Sequence, residues 1–339
     1  MNWPSLTDHE VLAARGPKAA TDPWKPVTSF IEPERQADGR VLDVVTLFLA
    51  NRECPFRCVY CDLWKHTLDE PTPREAVPAQ IDAAFDQLPK DQLAAASVIK
   101  LYNSGNFFDA SAIPPSDWPA IADRIRRFDR IIVENHPLLI DDRAVRFRDL
   151  VGKPLEIAMG LETVHPDVLP RMNKRMTLDD FSKAASFLTS QDIALRAFVL
   201  LRPPFLTEQE GIEWAIKSVE FAFDVGVNCC SIIPTRSGNG AMDQWQADGW
   251  FHEPRLRSLE EVTEKCLAFG RGRVFADAWD ADRFSQCQIC TAARTERLRA
   301  MNLTQTVPPQ VKCECMNDVI HAERGTPGLL AAMEQVDPR

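Results

Sequence analysis

The chain has 339 residues, of which 45% are hydrophobic and 26% charged; it is long enough for one barrel-sized domain with an appendage and too apolar to be mainly disordered. Its net charge of -10, from 49 acidic against 39 basic residues with no long Lys/Arg run, argues against broad phosphate-backbone binding, whose affinity comes largely from displaced counterions. No apolar run approaches the roughly 20 residues of a membrane span, and the start, MNWPSLTDHE, has neither a basic n-region nor an apolar h-region. A cytoplasmic protein without a membrane partner is therefore expected, and there ten cysteines in short-spaced groups point to metal or redox chemistry rather than a disulfide framework.

Residues 1 to 40 are rich in Pro, Asp and Lys with little periodicity and read as an irregular N-terminal extension. Strand-like runs follow: VLDVVTLF (41 to 48), SVIKLYN (97 to 103), RIIVEN (130 to 135), LEIAMGL (155 to 161), IALRAFVLL (193 to 201) and VNCCSII (227 to 233). Amphipathic helices lie between them. Thr177 and Asp180 introduce Phe181, Ala184, Ala185 and Leu188, and Thr207 to Glu210 reads as a capping box before Ile212, Ala215, Ile216 and Val219. Six strands alternating with helices predict an α/β protein with parallel βαβ units and a partial (β/α)6 TIM-like barrel over residues 41 to 245. In such folds chemistry gathers at the carboxyl ends of the strands. From 246 to 339 the pattern changes: SLEEVTEKCLAF reads as a capped helix and RVFADAW as a short strand, and a four-cysteine C-terminal appendage follows.

Directly after the first predicted strand comes NRECPFRCVYCDLW, which packs Cys54, Cys58 and Cys61 into eight residues with no fourth cysteine nearby. A four-iron cluster offers four iron corners to cysteine thiolates, so three cysteines leave one open, as a substrate-binding metal requires. Zinc held by the three cysteines and His66 is the structural alternative. The spacing C-x3-C-x2-C, with Tyr60 just before the last cysteine, resembles the signature of the radical S-adenosylmethionine (SAM) superfamily. That resemblance implies a [4Fe-4S] cluster on Cys54, Cys58 and Cys61, SAM bound at the open iron, and reductive cleavage of SAM to a 5'-deoxyadenosyl radical that abstracts hydrogen from a substrate. It also implies a flavodoxin- or ferredoxin-like electron donor, with the cofactor supplying the hard chemistry.

The likeness spans about residues 41 to 240. NSGNFFD puts Ser104, Gly105 and Asn106 where the family carries a Gly-Gly-Glu-like turn for the SAM amino group, with Asn in place of the acid. ENHP resembles a Glu-Thr-Arg-Pro segment and makes Glu134 and Asn135 candidates for the ribose or methionine part, with His136 as easily structural. In GLETVHPDVLPRMNKRMT, Glu162 stands where the family has glutamine, and Lys174, with Arg175 in reserve, stands where it has the arginine that pairs with the SAM carboxylate. An ammonium neutralises a carboxylate without offering a bidentate fork. Tyr60 is expected beside the adenine and Arg202, at the end of the fifth predicted strand, among the cofactor contacts. Together YNSGNFFD, GLET and VLLRPPFLTE look most like the archaeosine-biosynthesis radical SAM group, relatives of the elongator/MiaB/NifB-type core, whose members act on a modified deazaguanine in tRNA. A SAM-cleaving enzyme of unidentified substrate is the reading; tRNA modification and a non-catalytic iron-sulfur or zinc protein are its rivals.

Cys287-x2-Cys290 and Cys313-x-Cys315, 22 residues apart, offer four soft ligands from two hairpin-like elements and suit either zinc or an auxiliary [4Fe-4S] cluster. Cys266 shares a helical face with Leu259 and Val262 and reads as a core residue. Cys229 and Cys230, adjacent in a strand, must face opposite ways. Arg236, Asn239, Asp277 and Asp280 are candidates for substrate contact.

Overall fold

The computed structural model describes residues 3 to 316; the appendage beyond 316 lies outside the described residues. Eight strands form one curled sheet whose spatial order follows the chain: β1 (Thr28–Arg35), β2 (Val41–Phe48), β3 (Val98–Tyr102), β4 (Arg130–Glu134), β5 (Leu155–Glu162), β6 (Ala194–Leu201), β7 (Cys229–Pro234) and β8 (Arg273–Ala276). β1 runs antiparallel to β2, and every later pair is parallel. Crossovers that always step to the next strand wind the sheet into a half-barrel with helices outside.

The six expected barrel strands are β2 to β7, the short strand expected at RVFADAW is β8 at one edge of the sheet, and the sheet adds β1 at the other. β1 comes from the region expected to be irregular. Its sequence, TSFIEPER, contains a proline and little apolar surface, which suits an edge strand but weakens the strand signal. The same region holds the short helix Asp8–Ala13, started by a capping box between Thr7 and Glu10. The predicted boxes at Thr177/Asp180 and Thr207/Glu210 begin helices Leu178–Ser190 and Glu208–Asp224.

The period-two alternation of the strands separates two environments. Outward residues such as Val45, Leu47, Ile99, Leu101, Ile131, Val133, Ile157, Leu195, Val199 and Ile232 join one apolar core with the surrounding helices. Cys230 and Cys266 belong to that core. Inward residues at the amino-terminal half are charged. Glu34 binds Lys100 at 2.6 Å and Arg196 at 2.6 Å, and Glu156 binds Arg196 at 2.8 Å and Arg273 at 3.0 Å. All five are buried, so the barrel floor is a closed ion network. Cys229 lies on this floor with the two arginines for neighbours, at the strand end away from the cysteine loop.

The two sheet edges are joined by helix Gln288–Thr304, which packs on both β1 and β8. Gln305 accepts from the Val274 N–H and donates to its carbonyl, both at 2.8 Å. Asn302 does the same for Ala276, again at 2.8 Å. These amides occupy the outer hydrogen-bonding groups of β8, which an open edge would leave to another chain.

Candidate functional site

The segment after β2 leaves the sheet at its carboxyl edge. Buried Gln80 accepts from the Ala50 N–H at 2.8 Å and donates to the Ala50 carbonyl at 2.7 Å. The loop then carries Cys54, Cys58 and Cys61, none in a disulfide, to a short turn at Leu63–His66. Two outside side chains hold its backbone and a third holds its Phe56 ring. Asn239, buried in the loop after β7, donates to the carbonyls of Val59 at 2.8 Å and Cys61 at 3.2 Å. Asn173 donates to the Arg57 carbonyl at 2.8 Å, and the Val59 N–H reaches the Met172 carbonyl at 3.0 Å. His136 stacks on Phe56 with ring centroids 3.7 Å apart.

Around these sulfurs stand the ends of three more strands. After β3, Asn106 donates to Cys54 Sγ at 3.2 Å, and Gly105 lies so close that an added Cβ would stand 3.2 Å from that of Cys54. Only glycine permits that approach without displacing the cysteine. Glu134, at the end of β4, accepts from the N–H of Asn103 at 2.6 Å and of Gly105 at 3.3 Å, which fixes the turn against the cysteine loop. Burial pushes its carboxyl up to about 7 despite these donors. At the end of β5 a register shift between Gly160 and Glu162, with Glu162 at φ 66°, turns the Glu162 carboxylate inward. It meets Lys174 Nζ at 2.7 Å, and the same ammonium lies 3.3 Å from the Tyr60 hydroxyl. A Cβ on Gly160 would collide with both partners of this pair. Burial works against the Lys174 charge, but the Glu162 carboxylate and the negative charge of Cys58 when it is ionised hold it above its ordinary value.

Burial raises the thiols of Cys54, Cys58 and Cys61, that of Cys58 to about 11. A thiolate here therefore needs a metal's positive charge. Among the described residues, the group of three or more His, Cys, Asp or Glu with all ligand atoms within 4.8 Å of one another is Cys287, Cys290, Cys313 and Cys315. Cys54, Cys58, Cys61 and exposed His66 form no such single-ion set. The donors instead fit a cluster: three sulfurs on one clamped loop, an amide aimed at Cys54, and a backbone left bare at Gly105. Buried Asn103 adds an amide with both polar atoms unpartnered, at the strand end where a cofactor would lie.

Several expected contacts have other employment. Arg202 binds Glu208 and donates to the Glu253 carbonyl at 3.1 Å, which clasps the chain after β6 rather than facing the cysteine loop. Arg175 pairs with Asp8 at 2.5 Å on the surface, and Asn173 also reaches Asp8 at 2.9 Å, so the N-terminal helix fastens over this loop. Asn135 accepts from the Phe108 N–H at 3.0 Å. His136 is structural: Nδ1 accepts from the Leu138 N–H at 3.2 Å while Nε2 lies 3.1 Å from the Lys174 carbonyl. Burial holds it neutral, with its pKa lowered to about 3. Asn239 holds the cysteine loop rather than a substrate. Arg236 is bound by Asp277 at 3.0 Å and lies 3.8 Å from Asp280. Missed from sequence were the strained backbones at positive φ: Ser104, Glu162 and Arg202 at strand ends, and Asn173 and Arg175 in the loop before helix Leu178–Ser190, the kind of strain that functional sites hold.

No helix among the described residues is long and apolar enough to cross a membrane. The archaeosine synthase subunit beta of Methanosarcina acetivorans is 26% identical over 276 residues, covering 76% of this chain and 77% of that protein. An uncharacterized protein of Methanocaldococcus jannaschii, MJ0550, is 23% identical over 316 residues, 87% of this chain and 86% of that one. The archaeosine synthase subunit beta of Thermococcus kodakarensis is 32% identical over 127 residues, 36% of this chain and 39% of its own length. Among solved structures, methylornithine synthase (PylB) superposes over 83% of this chain and 77% of its own with a TM-score of 0.51 at 13% identity, a likeness of fold. The model of the radical SAM superfamily matches residues 50–238, more than half of the chain and the whole arc from the cysteine loop to the end of β7, so the chain belongs to the radical SAM superfamily.

Proposed function

We propose that this radical SAM enzyme holds a [4Fe-4S] cluster on Cys54, Cys58 and Cys61 and binds SAM against the ends of β3, β4 and β5, to abstract hydrogen from a substrate at the barrel mouth. The observation that carries this reading is the convergence of Asn106 on Cys54 at 3.2 Å with the buried Lys174–Glu162 pair beside Tyr60. When bound, the cluster and SAM supply the low-potential electron and the adenosyl radical. The chain's own part is positioning. Asn106 orients the Cys54 sulfur, and the Ser104–Gly105 backbone, fixed by Glu134, presents polar groups to the SAM amino group. Lys174 neutralises the carboxylate of SAM, with Glu162 holding the ammonium in place. Tyr60 flanks the adenine. A donor of flavodoxin or ferredoxin type delivers the electron.

For the substrate, a base carried by tRNA is the reading we favour over a free small molecule. Two of the relatives are archaeosine synthase subunits. In this chain, Phe198, Tyr102, Phe48 and Phe30 form a run of ring contacts with centroids 5.8 to 6.2 Å apart, ending on Trp279, 69% exposed and stacked on Phe30 at 5.7 Å. Aromatic faces of this kind accept a planar heterocycle. Anaerobic reconstitution with dithionite and SAM tests the whole reading. Production of 5'-deoxyadenosine, raised by added tRNA but not by the free base, supports it; an intact SAM pool removes the enzyme reading, and stimulation by the free base alone removes the tRNA.

A further inference from the structure

The four C-terminal cysteines are independent of everything proposed above, and their geometry separates the two metal centres that their spacing leaves open. Cys287 caps the N-terminus of helix Gln288–Thr304 and Cys290 lies in its first turn, while Cys313 and Cys315 come from the segment that returns after the helix, at a short turn from Glu314 to Met316. The two elements are thus a helix start and a short turn, not hairpins. Cys287 Sγ stands 3.7 Å from Cys313 Sγ and Cys290 Sγ 3.6 Å from Cys315 Sγ, and all four sulfurs lie within 4.8 Å of one another. Four thiolates about 2.3 Å from one tetrahedral zinc stand about 3.8 Å apart. A [4Fe-4S] core would have to fit four irons and four sulfides between the same sulfurs, each thiolate on its own corner; sulfurs this close enclose room for one ion.

We propose that Cys287, Cys290, Cys313 and Cys315 bind a single tetrahedral zinc ion, a structural centre rather than an auxiliary cluster. The surroundings are those of a closed metal site, whose ligands are oriented by groups behind them. Arg294, one turn after Cys290, donates Nε to its Sγ at 3.1 Å and is itself held by buried Glu260 on the neighbouring helix Leu256–Leu267. Glu260 also binds Arg297 at 3.2 Å, and Arg297 donates to the Pro308 carbonyl at 2.7 Å. Two arginines therefore connect the thiolates, the returning segment and a helix packed on the barrel. The ion pins the start of the helix that bridges β1 and β8, so it stabilises closure of the barrel at the end of the chain.

Metal analysis of the full chain, purified anaerobically and measured before and after iron-sulfide reconstitution, tests this. The expected result is about one zinc per chain in both samples and about four irons after reconstitution. Cys290→Ser should lose the zinc and keep the iron. X-ray absorption at the zinc edge of the wild-type protein should give four sulfurs at about 2.3 Å, a readout that survives if the variant does not fold. Zinc-free protein taking up about eight irons, zinc-free protein holding a lone extra iron, or a zinc with nitrogen or oxygen ligands would each overturn the assignment.

Discussion

The two cysteine groups use the same ligand in opposite ways. Cys287, Cys290, Cys313 and Cys315 are drawn from two segments, and their sulfurs are already in contact. Cys54, Cys58 and Cys61 sit on one loop, and the protein holds mainly that loop's frame: Asn239 and Asn173 grip its carbonyls, His136 stacks on its Phe56 ring, and Asn106 reaches the Cys54 sulfur. A closed site completes its ligand set with its own sulfurs, with Arg294 and Glu260 behind them, whereas an open one must also be shaped by neighbours so that a vertex stays available. The lesson is that clamps on a cysteine loop are the trace of a working centre.

The largest effect should come from exchanging the two groups' fates. Cys58→Ser is expected to reduce 5'-deoxyadenosine formation to background and to remove about four irons per chain while leaving zinc in place; Cys290→Ser should do the reverse to the metals. Iron and zinc measured on the same samples decide it, and joint loss of both metals from either variant would make the two centres one cooperative unit.

Next in size is the buried Lys174–Glu162 pair, both residues about 95% inaccessible. Lys174→Met leaves Glu162 charged and alone, which costs about 3–5 kcal/mol, read from denaturant unfolding. Adding Glu162→Gln removes the orphan charge and should restore most of that stability without restoring SAM cleavage. Recovery of both together would mean that the pair serves folding and not the cofactor. The matching pair behind the other centre, Arg294–Glu260, should affect zinc retention alone.

A smaller effect is expected from Asn239→Ala, which deletes the donors to the Val59 and Cys61 carbonyls and leaves buried acceptors unsatisfied, at about 1–3 kcal/mol. The loop opens more often, so iron should pass to a chelator several-fold faster while zinc transfer is unchanged. Equal acceleration of both would show general loosening rather than a clamp.

The strands could be read from sequence because their outward residues, such as Ile99, Leu101, Ile157 and Val199, are apolar and alternate. The charges among them, Lys100, Glu156 and Arg196, are present in the same runs, yet a single sequence does not say that alternate positions from these three strands meet on one floor. Edge strand β1 hid behind Pro33 and its glutamates. Cys54, Cys58 and Cys61 are close in sequence, so their spacing is visible; the Asn239 clamp joins residues 180 positions apart, and nothing local marks it. Arg202 looked like a cofactor ligand because it ends a strand, but Glu208, six residues later, takes it.

The smallest predicted effect tests how the open centre's turn is held, and the closed centre has no counterpart to it. Glu134 anchors the Asn103 and Gly105 amides, and burial raises its carboxyl from 4.5 to about 7. Between those values the folded chain keeps a proton that the unfolded chain has lost. Stability from this group is therefore full at low pH and falls as pH rises through about 7. Glu134→Gln keeps the acceptor oxygen and cannot ionise. Its unfolding free energy relative to wild type should become more favourable from pH 5 to pH 8 and level off above, measured by denaturant melts at fixed ionic strength. A difference that stays constant across that range would mean the carboxylate is already ionised at pH 5 and that the two backbone N–H donors, not burial, govern the turn beside Cys54.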